Sequence, residues 1–338
     1  MNNFCTLFNS KYLTRGLAMY RSLERQTRDF HLYIFAFDDN CFSVLKSLNL
    51  TKATVIPLVQ FEDEELLAVK PSRKENEYCW TCTPSIVRYA IKTYGLKACT
   101  YLDADLLFFG NPQVLFEEMG DKSVLITPHH YTEKYDQSAT SGIYCVQFVC
   151  FKNTVEGMAV LEWWRNACLE WCYCRMEEGK FGDQKYLDDW TTRFDCVHAL
   201  EHRGGGVAPW NMQQYNFGYR DGAVWGQKLV CRFAFPVIFY HYHAFRIAEA
   251  NSFIPLPDGL YDLNDNALTF MYRPYMKALV EASNELKKKG ITTLAHENII
   301  IPRIRKSIRR MVKLYFTGKF REFYHINYFK RRWLTKLT

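Results

Sequence analysis

Residues 98–109 form a nearly unbroken apolar run that contains two aspartates, Asp103 and Asp105. Such a run predicts a buried strand, on which residues i and i+2 point to the same side. The two carboxylates can therefore converge on one ligand, and their burial is costly unless an opposite charge compensates it. A hard divalent cation, Mg²⁺ or Mn²⁺, would compensate both and would complete its coordination with phosphate oxygens. Most chance copies of so short a triplet are solvated turns, but the apolar flanks favour a metal site.

Apolar segments of strand length alternate with segments of helix length over most of the chain. The predicted strands are 4–8, 31–37, 53–59, the aspartate-bearing run, 124–127, 143–151, 229–235 and 237–242. The predicted helices are 13–23, 42–48, 85–94, 155–175, 181–190 and 272–289. Pro84 is expected in the first turn of the third helix, and Gly95 is expected to end it. The alternation predicts an α/β fold with a Rossmann-like, mixed and mostly parallel sheet flanked by helices.

The net charge of +7 is concentrated at one end of the 338-residue chain. Residues 302–338 contain twelve Lys or Arg and one acid, a net +11, so residues 1–301 carry −4. Five apolar residues of this tail recur at helical spacing: Ile304, Ile308, Met311, Val312 and Tyr315. The pattern predicts a basic amphipathic helix that binds an anionic membrane surface. A solvated basic helix and a nucleic-acid patch are the alternatives.

Composition is typical of a globular protein, with 48% apolar and 23% charged residues. The sequence contains no apolar stretch of about 20 residues, as a membrane span requires. The start of the chain does not match a secretory signal, so we expect the cytoplasm, with the tail bringing the protein to the inner face of the membrane. The twelve cysteines are then expected as thiols. Cys79 and Cys82 have zinc-site spacing, but without a second C-x-x-C, buried thiols are favoured there and in the Cys168–Cys174 cluster.

A set of polar and small residues follows the strands in a characteristic order. They are Asn9, Tyr12, Arg88, Asp103, Asp105, Ser141, Gly142, Asp183, Gln184 and His241. This order resembles that of the retaining glycosyltransferases of the GT-A fold. It is most similar to family 8, which includes glycogenin and the bacterial lipopolysaccharide galactosyltransferases. The resemblance implies a GT-A nucleotide-sugar-binding catalytic domain over residues 1–250, followed by a linker and a helical basic region over 251–338.

The resemblance implies a metal site with three protein ligands. Asp103 and Asp105 match the D-x-D of the family, and His241 matches the first residue of its late H-x-x-G. His243 is the competing ligand, and the alternative for His241 is a packed histidine at the end of a strand. Because the cation needs a third ligand and imidazole is a common one, coordination by His241 is favoured. The implied ion is Mn²⁺ or Mg²⁺.

The resemblance also implies a binding site for a nucleotide-sugar donor, with a UDP-sugar favoured. Tyr12 matches a ring that stacks on the base, and Arg88 matches a basic residue near the phosphates or sugar. An ordinary surface tyrosine and a helix-surface arginine are the alternatives. Ser141 and Gly142 match a strand of small residues that lets the donor sugar approach closely. Arg246 would replace the phosphate-binding lysine of the family, since arginine also binds phosphate well.

Asp183 and Gln184 match the pair that contacts the reacting face of the donor sugar. For Asp183, an acid that favours a helix N-terminus is the alternative. The neutral amide of Gln184 is a weak nucleophile, so front-face attack by the acceptor is favoured over a covalent sugar–Gln184 intermediate. Asp183 would orient the donor sugar or stabilise its positive charge. Retention of anomeric configuration is implied by the family alone.

The chain departs from the family at one position of the metal motif. Ala244 stands where the family has the glycine of H-x-x-G, which leaves the loop that closes over the donor open to question. The segment Pro209-Trp210-Asn211 suits a wall of the donor or acceptor pocket, with its specific role open.

The implied reaction transfers a sugar to a hydroxyl acceptor, for which a surface glycan or a lipid-linked saccharide is expected. One rival function is a nucleotidyltransferase acting on sugar phosphates. It would need an early glycine-rich phosphate loop, yet residues 1–30 contain only Gly16. A basic nucleic-acid-binding protein is disfavoured by the acidic body, and a catalytically inactive scaffold is disfavoured by the intact aspartate pair.

Overall fold

The computed structural model describes residues 1–231, 233–248, 252–257 and 259–291, together with residues 312, 319–320, 323–325 and 328. The strands are β1 (Asn2–Phe8), β2 (Phe30–Ala36), β3 (Ala53–Pro57), β4 (Ala98–Leu102), β5 (Leu106–Phe108), β6 (Val124–Pro128), β7 (Tyr144–Lys152), β8 (Val197–Ala199), β9 (Tyr215–Arg220), β10 (Ala223–Lys228), β11 (Ala234–Pro236), β12 (Phe239–His241), β13 (Arg246–Ala248), β14 (Ser252–Ile254), β15 (Lys319–Phe320) and β16 (Phe323–His325). The α-helices are α1 (Leu13–Gln26), α2 (Asp39–Leu48), α3 (Leu58–Phe61), α4 (Glu64–Val69), α5 (Glu75–Tyr94), α6 (Gln113–Met119), α7 (Ser138–Ser141), α8 (Val155–Glu170), α9 (Trp190–Arg193), α10 (Asp265–Ala267) and α11 (Arg273–Lys288). Short 3₁₀ turns span Ser10–Tyr12, Lys70–Ser72, Glu133–Tyr135, Lys185–Asp189 and Met212–Gln214, and a π-helical turn spans Leu268–Tyr272.

Seven strands of the described part form the central sheet, in the order β3-β2-β1-β4-β7-β6-β8. Neighbouring strands are parallel except where β7 pairs with β4 and with β6, so β7 runs against the others. The carboxyl ends of the parallel strands and the amino end of β7 therefore meet at one edge, here called the carboxyl edge. This sheet, with helices on both faces, confirms the predicted mixed and mostly parallel α/β fold.

Alternate residues of β1 enter two different apolar cores. Phe4 and Phe8 pack in the core that contains α1, whereas Cys5 and Leu7 pack in the core that contains the buried side of α5. Because alternate side chains of a strand point to opposite faces, both faces of the sheet are covered. This burial on two faces is why the strand is an almost continuous apolar run.

Local capping explains where two of the helices begin and end. The side chain of Asp38 accepts a hydrogen bond from the backbone N–H of Cys41 at 2.6 Å and so starts α2. Gly95 ends α5 in the left-handed conformation with φ 61°, as predicted. The predicted start of α5 at residue 85 was wrong. The helix begins at Glu75, where Glu77 accepts from the backbone N–H of Lys74, and Pro84 therefore lies inside it.

Several predicted elements differ from the structure in extent. The run 98–109 is not one strand, because β4 ends at Leu102 and β5 leaves the central sheet to pair with β12. The helix predicted over 155–175 ends at Glu170. The helix predicted over 181–190 is a 3₁₀ turn followed by α9. Of the strand predicted over 229–235, residues 234–235 belong to β11 and the earlier part lies in the connection from β10. The linker predicted beyond residue 250 contains β14.

The chain after β12 packs back onto the helix that follows β1. The helix predicted over 272–289 is confirmed as α11, which lies along α1, and Arg21 Nη2 binds Glu285 Oε1 at 2.5 Å across them. The predicted division at residue 250 stays a prediction. Most of the basic tail lies outside the described residues, and so does its predicted amphipathic helix apart from Val312. Within the described part, no helix combines the length and the apolar character needed to cross a bilayer.

Candidate active site

The turn between β4 and β5 carries both aspartates to the carboxyl edge of the sheet. Its backbone is fixed on two sides: Asp103 N–H donates to the Gln147 carbonyl at 3.1 Å, and Tyr242 N–H donates to the Asp105 carbonyl at 3.0 Å. Pairing of β5 with β12 then sets His241 opposite Leu106. The carboxylates thus converge through a turn, and their predicted placement on one face of a strand was wrong.

Asp103, Asp105 and His241 form a group of ligand atoms that lie within 4.8 Å of one another. His241 Nε2 lies 3.2 Å from Asp105 Oδ1 and 3.6 Å from Asp103 Oδ2. In the described part of the chain this is the single set of three such residues that could hold a metal ion. Two carboxylate oxygens and one imidazole suit Mn²⁺ or Mg²⁺ with open positions for phosphate oxygens.

Gln147 on β7 orients the imidazole of His241. The Nδ1 atom of His241 lies 2.9 Å from Gln147 Oε1, so Nδ1–H donates to the amide oxygen and Nε2 faces the aspartates, where it can carry a proton or ligate a cation. His243, the competing ligand, is exposed, and its ring lies 5.8 Å from that of Trp210 at an interplanar angle of 60°. His241 is therefore the histidine that joins the aspartates.

Burial and mutual attraction shift the pKa values of this group. Burial raises the pKa of Asp103, with a further rise from Asp105. For Asp105, the effect of burial is outweighed by His241, and its pKa is lowered. Burial alone would lower the pKa of His241, but the two carboxylates raise it well above its ordinary value. Without a metal, a shared proton on His241 holds the carboxylates together, and a divalent cation would displace it.

Asp183 lies on a turn that begins with Gly182 in the left-handed conformation at φ 54°. It is buried, at 5% exposure, and its backbone carbonyl accepts from Trp164 Nε1 at 2.9 Å. Burial, together with the negative charge of Asp103, raises the pKa of Asp183 to about 7, against a smaller lowering by the Thr83 side chain. A buried carboxyl held near its titration point beside the aspartate pair is typical of a reactive site.

Gln184 and Ser141 lie together. The amide Nε2 of Gln184 donates to the Ser141 carbonyl at 2.7 Å. The predicted small-residue strand was wrong, because Ser141 ends α7 and Gly142 turns the chain into β7 with φ 100°. A side chain on Gly142 would meet Asp188 Oδ1 at 2.9 Å, so the turn requires glycine.

Tyr12 precedes α1 at the same edge and is 39% exposed. The guanidinium of Arg15 lies over its ring at 4.5 Å and donates to the Phe245 carbonyl at 2.9 Å. Arg15 is 2% exposed, and its positive charge also helps lower the pKa of Asp105. This buried cation thus links the predicted base platform, the metal ligands and the loop after His241.

Sequence reasoning missed both Arg15 and Gln147. In the helical periodicity of residues 13–23, Arg15 lies opposite the apolar stripe of Leu13 and Leu17, so it read as a surface residue. Gln147 is one polar residue within an apolar strand, and its role depends on a partner far along the chain. Neither position carried a recognisable signal.

The salt bridge of Arg88 joins two helices and does not involve the metal group. Arg88 Nε binds Glu162 Oε1 at 2.7 Å, which joins α5 to α8, and Lys92 binds the same carboxylate. Arg246 begins β13 and pairs with Ile254 in the strand register. Their roles at the donor phosphates stay predictions.

Trp210 forms a wall beside the metal group. Its ring lies 5.4 Å from that of His241 and 5.1 Å from that of His129, and its Nε1 donates to the His129 carbonyl at 2.9 Å.

Of the cysteines predicted to be buried thiols, three are buried: Cys82, Cys168 and Cys172. Cys79 is half-buried and Cys174 is exposed, which corrects that prediction.

Comparison with known proteins gives two relatives in Bacillus subtilis strain 168, whereas no protein-family model matches. YfnF is 31% identical over 284 residues, which cover 82% of this chain and 91% of YfnF. The chain belongs to the YfnF family. YfnD, a further relative of this YfnF-family chain, is 29% identical over 293 residues, covering 84% of the chain and 91% of YfnD. Both relatives are uncharacterised.

Two solved structures are similar to this YfnF-family protein. Mouse xyloside xylosyltransferase 1 aligns with a TM-score of 0.46 at 15% identity, over 72% of this chain and 97% of that chain. The galactosyltransferase LgtC, solved with donor and acceptor sugar analogues, aligns with a TM-score of 0.50 at 10% identity, over 86% of this chain and 97% of LgtC. On the alignment with LgtC, the YfnF-family chain has the GT-A fold of glycosyltransferases.

Proposed function

We propose that this protein is a metal-dependent glycosyltransferase that moves a sugar from a nucleotide diphosphate sugar, a UDP-sugar, to a hydroxyl acceptor with retention. The observation that carries the proposal is the convergence of Asp103, Asp105 and His241 at the carboxyl edge of a GT-A fold. That edge is where ligands bind in sheets of this kind. LgtC, whose structure holds donor and acceptor sugar analogues, has this fold.

Asp103, Asp105 and His241 would hold Mn²⁺ or Mg²⁺, which supplies charge stabilisation to the leaving diphosphate when bound. Gln147 keeps His241 in the tautomer that ligates. Tyr12, with Arg15 over its ring, would stack on the base. Arg88 and Arg246 would add positive charge near the phosphates or sugar.

Asp183 and Gln184 would act at the reacting face of the donor sugar, with Ser141 and Gly142 beside it. The hydrogen bond from Gln184 to the Ser141 carbonyl fixes the amide, and a neutral amide is a poor nucleophile. We therefore favour front-face attack, in which the acceptor hydroxyl gives its proton to the leaving phosphate. When ionised, Asp183 would stabilise positive charge on the sugar ring.

The nucleotidyltransferase alternative would need an early glycine-rich phosphate loop, and the position of Gly16 does not support one. Gly16, the sole glycine of residues 1–30, lies inside α1, where a side chain would meet the Phe8 ring. Its small size serves helix–sheet packing rather than a phosphate loop. A glycan or a lipid-linked saccharide remains the acceptor class that we propose, and membrane binding by the basic tail stays a prediction.

Thermal unfolding with nucleotides and metal tests the proposal. We expect UDP and UDP-sugars to raise the melting temperature only with Mn²⁺ or Mg²⁺ present, and release of UDP to follow. Asp105→Asn should abolish both effects. The matched control is Asp221→Asn, an exposed turn position with φ 50° that asparagine tolerates.

Metal-dependent stabilisation by UDP that persists in Asp103→Asn and Asp105→Asn would refute this site. Stabilisation by a nucleoside triphosphate with a sugar phosphate, but not by UDP-sugars, would favour the nucleotidyltransferase.

A further inference from the structure

The loop between β10 and β11 exposes three large apolar side chains. Leu229, Val230 and Phe233 are 66%, 90% and 52% exposed, and we call them the apolar tip. The loop is closed by a hydrogen bond from Lys228 N–H to the Phe233 carbonyl at 2.9 Å. Clustered exposure of this kind marks an interaction surface more often than chance placement of single residues.

The sequence around the apolar tip carries charge of one sign. Residues 222–248 contain no Asp or Glu, whereas they include Lys228 and Arg232. Lys228 and Arg203 both help lower the pKa of His130, after the larger effect of burial, so positive charge extends from the loop toward His130. Apolar side chains flanked by basic ones complement a surface with an apolar interior and anionic headgroups.

A short series of contacts joins the apolar tip to the metal group. Leu229 N–H donates to the Gln214 carbonyl at 3.0 Å, and Gln214 Nε2 donates to the His130 carbonyl at 2.7 Å. The preceding residue, His129, contacts Trp210, which in turn contacts His241. The tip is therefore connected to the candidate active site through a continuous series of contacting residues.

We propose that the apolar tip docks on an anionic lipid surface, inserting Leu229, Val230 and Phe233 among the headgroups. Three side chains at the end of a narrow hairpin are too few for a stable protein interface, which requires a broad matching face. A lipid surface accommodates such a tip without a shaped partner. Docking would hold the candidate active site near molecules anchored in that surface. This last step rests on the proposed function and selects an acceptor hydroxyl carried by a lipid-anchored molecule.

The cysteines of the chain allow insertion to be measured at the tip itself. Of the twelve, all within the described part, only Cys174 and Cys231 are exposed. In the full chain carrying Cys174→Ser, an environment-sensitive fluorophore on Cys231 should shift to the blue with vesicles of phosphatidylcholine and phosphatidylglycerol in equal parts. The matched control carries Cys231→Ser with the fluorophore on Cys174, and its emission should not shift.

A second measurement compares vesicle binding after the same substitution at two valines of similar exposure. Val230→Glu should lower the vesicle partition coefficient about tenfold, because it removes an inserted side chain and adds a repelled charge. Val155→Glu is the control, since Val155 is 85% exposed on α8 and tolerates an acid in the first helical turn. Its partition coefficient should equal that of the parent.

Three outcomes would overturn the proposal. Sedimentation with vesicles and no shift at Cys231 would assign binding to the tail. A shift that grows with protein concentration and needs no vesicles would assign the tip to a second copy of the chain. Equal partitioning of Val230→Glu and Val155→Glu would exclude the tip altogether. Because these measurements use neither metal nor nucleotide, their failure leaves the glycosyltransferase proposal to its own test.

Discussion

The Nδ1 atom of His241 lies 2.9 Å from the Oε1 atom of Gln147, a contact that determines which imidazole nitrogen faces the aspartates. Gln147→Met removes the acceptor while keeping an unbranched side chain at a fully buried position. We expect Mn²⁺ affinity to fall by about 10- to 100-fold, the usual effect of losing such a support. Titration calorimetry with Mn²⁺ measures it.

Gln147→Glu is the matched variant, because it keeps an acceptor for the imidazole N–H. It should retain more Mn²⁺ affinity than Gln147→Met. Equal affinity in the parent and in Gln147→Met would show that Gln147 only fills space.

Ala244 adopts the left-handed conformation, with φ 63°. The resemblance places the glycine of H-x-x-G at this position, and the backbone here has a conformation that glycine favours. Ala244→Gly should relieve about 1 kcal/mol of strain, offset in part by greater freedom of the unfolded chain. Ala244→Val should destabilise the fold by about 1–2 kcal/mol, since β-branched residues avoid this region. Urea unfolding gives both values.

Ala234, exposed in β11, is the control position, where the glycine and valine variants should rank in the opposite order of stability. There valine should be tolerated and glycine should destabilise, because strands favour β-branched residues. The same order at both positions would contradict the assignment of strain to Ala244.

Asp183 should make the metal-free protein less stable as the pH rises. Its pKa is raised to about 7 in the folded state, so the folded protein keeps a proton that the unfolded chain loses near pH 4. Stability from this group therefore declines between about pH 4 and pH 7. Asp183→Asn should be more stable than the parent at pH 8 by about 2–4 kcal/mol, with little difference at pH 4.

Urea unfolding in the presence of a chelator, repeated across this pH range, measures the difference. Transfer activity should be lost in Asp183→Asn despite the gain in stability. Parallel pH–stability curves for parent and variant would mean that the carboxyl is ionised throughout.

Arg15 should affect nucleotide binding more than folding when changed to lysine. Arg15→Lys keeps the charge but loses the planar group that lies over the Tyr12 ring and donates to Phe245. We expect affinity for UDP with Mn²⁺ to fall about five- to tenfold, equivalent to about 1–1.4 kcal/mol. Arg21→Lys, on the same helix but paired with Glu285, is the control. An equal loss of UDP affinity in both variants would contradict the role of Arg15.

Much of the fold follows from local pattern. The strands β1 and β2 were found within one or two residues because their burial on both faces leaves unbroken apolar runs. The start of α5 was missed because Glu75, Asn76 and Glu77 look like a polar loop, although they form the first turn of a capped helix. Helix α1 is covered on the side that its periodicity marks as polar, since α11 returns to it from far along the chain.

The candidate site likewise contains residues that could be predicted from the sequence and residues that could not. Asp103, Asp105 and His241 could be predicted because a metal demands particular ligand types. Their supports could not, because Gln147 and Arg15 become meaningful only when distant segments meet. The turn at residues 103–105 was mistaken for strand because the two acids are the only charged residues in the run.

Because β7 runs in the reverse direction, insertions and deletions before it and after it should have different effects on the candidate site. Its amino end brings Gly142 to the carboxyl edge and carries Gln147 a few residues further on, whereas its carboxyl end, at Lys152, lies about 25–30 Å away at the opposite edge. A change of chain length just before Tyr144 would displace the donor-sugar turn directly. The same change after Lys152 would alter only a remote connection, so natural length variation should accumulate there.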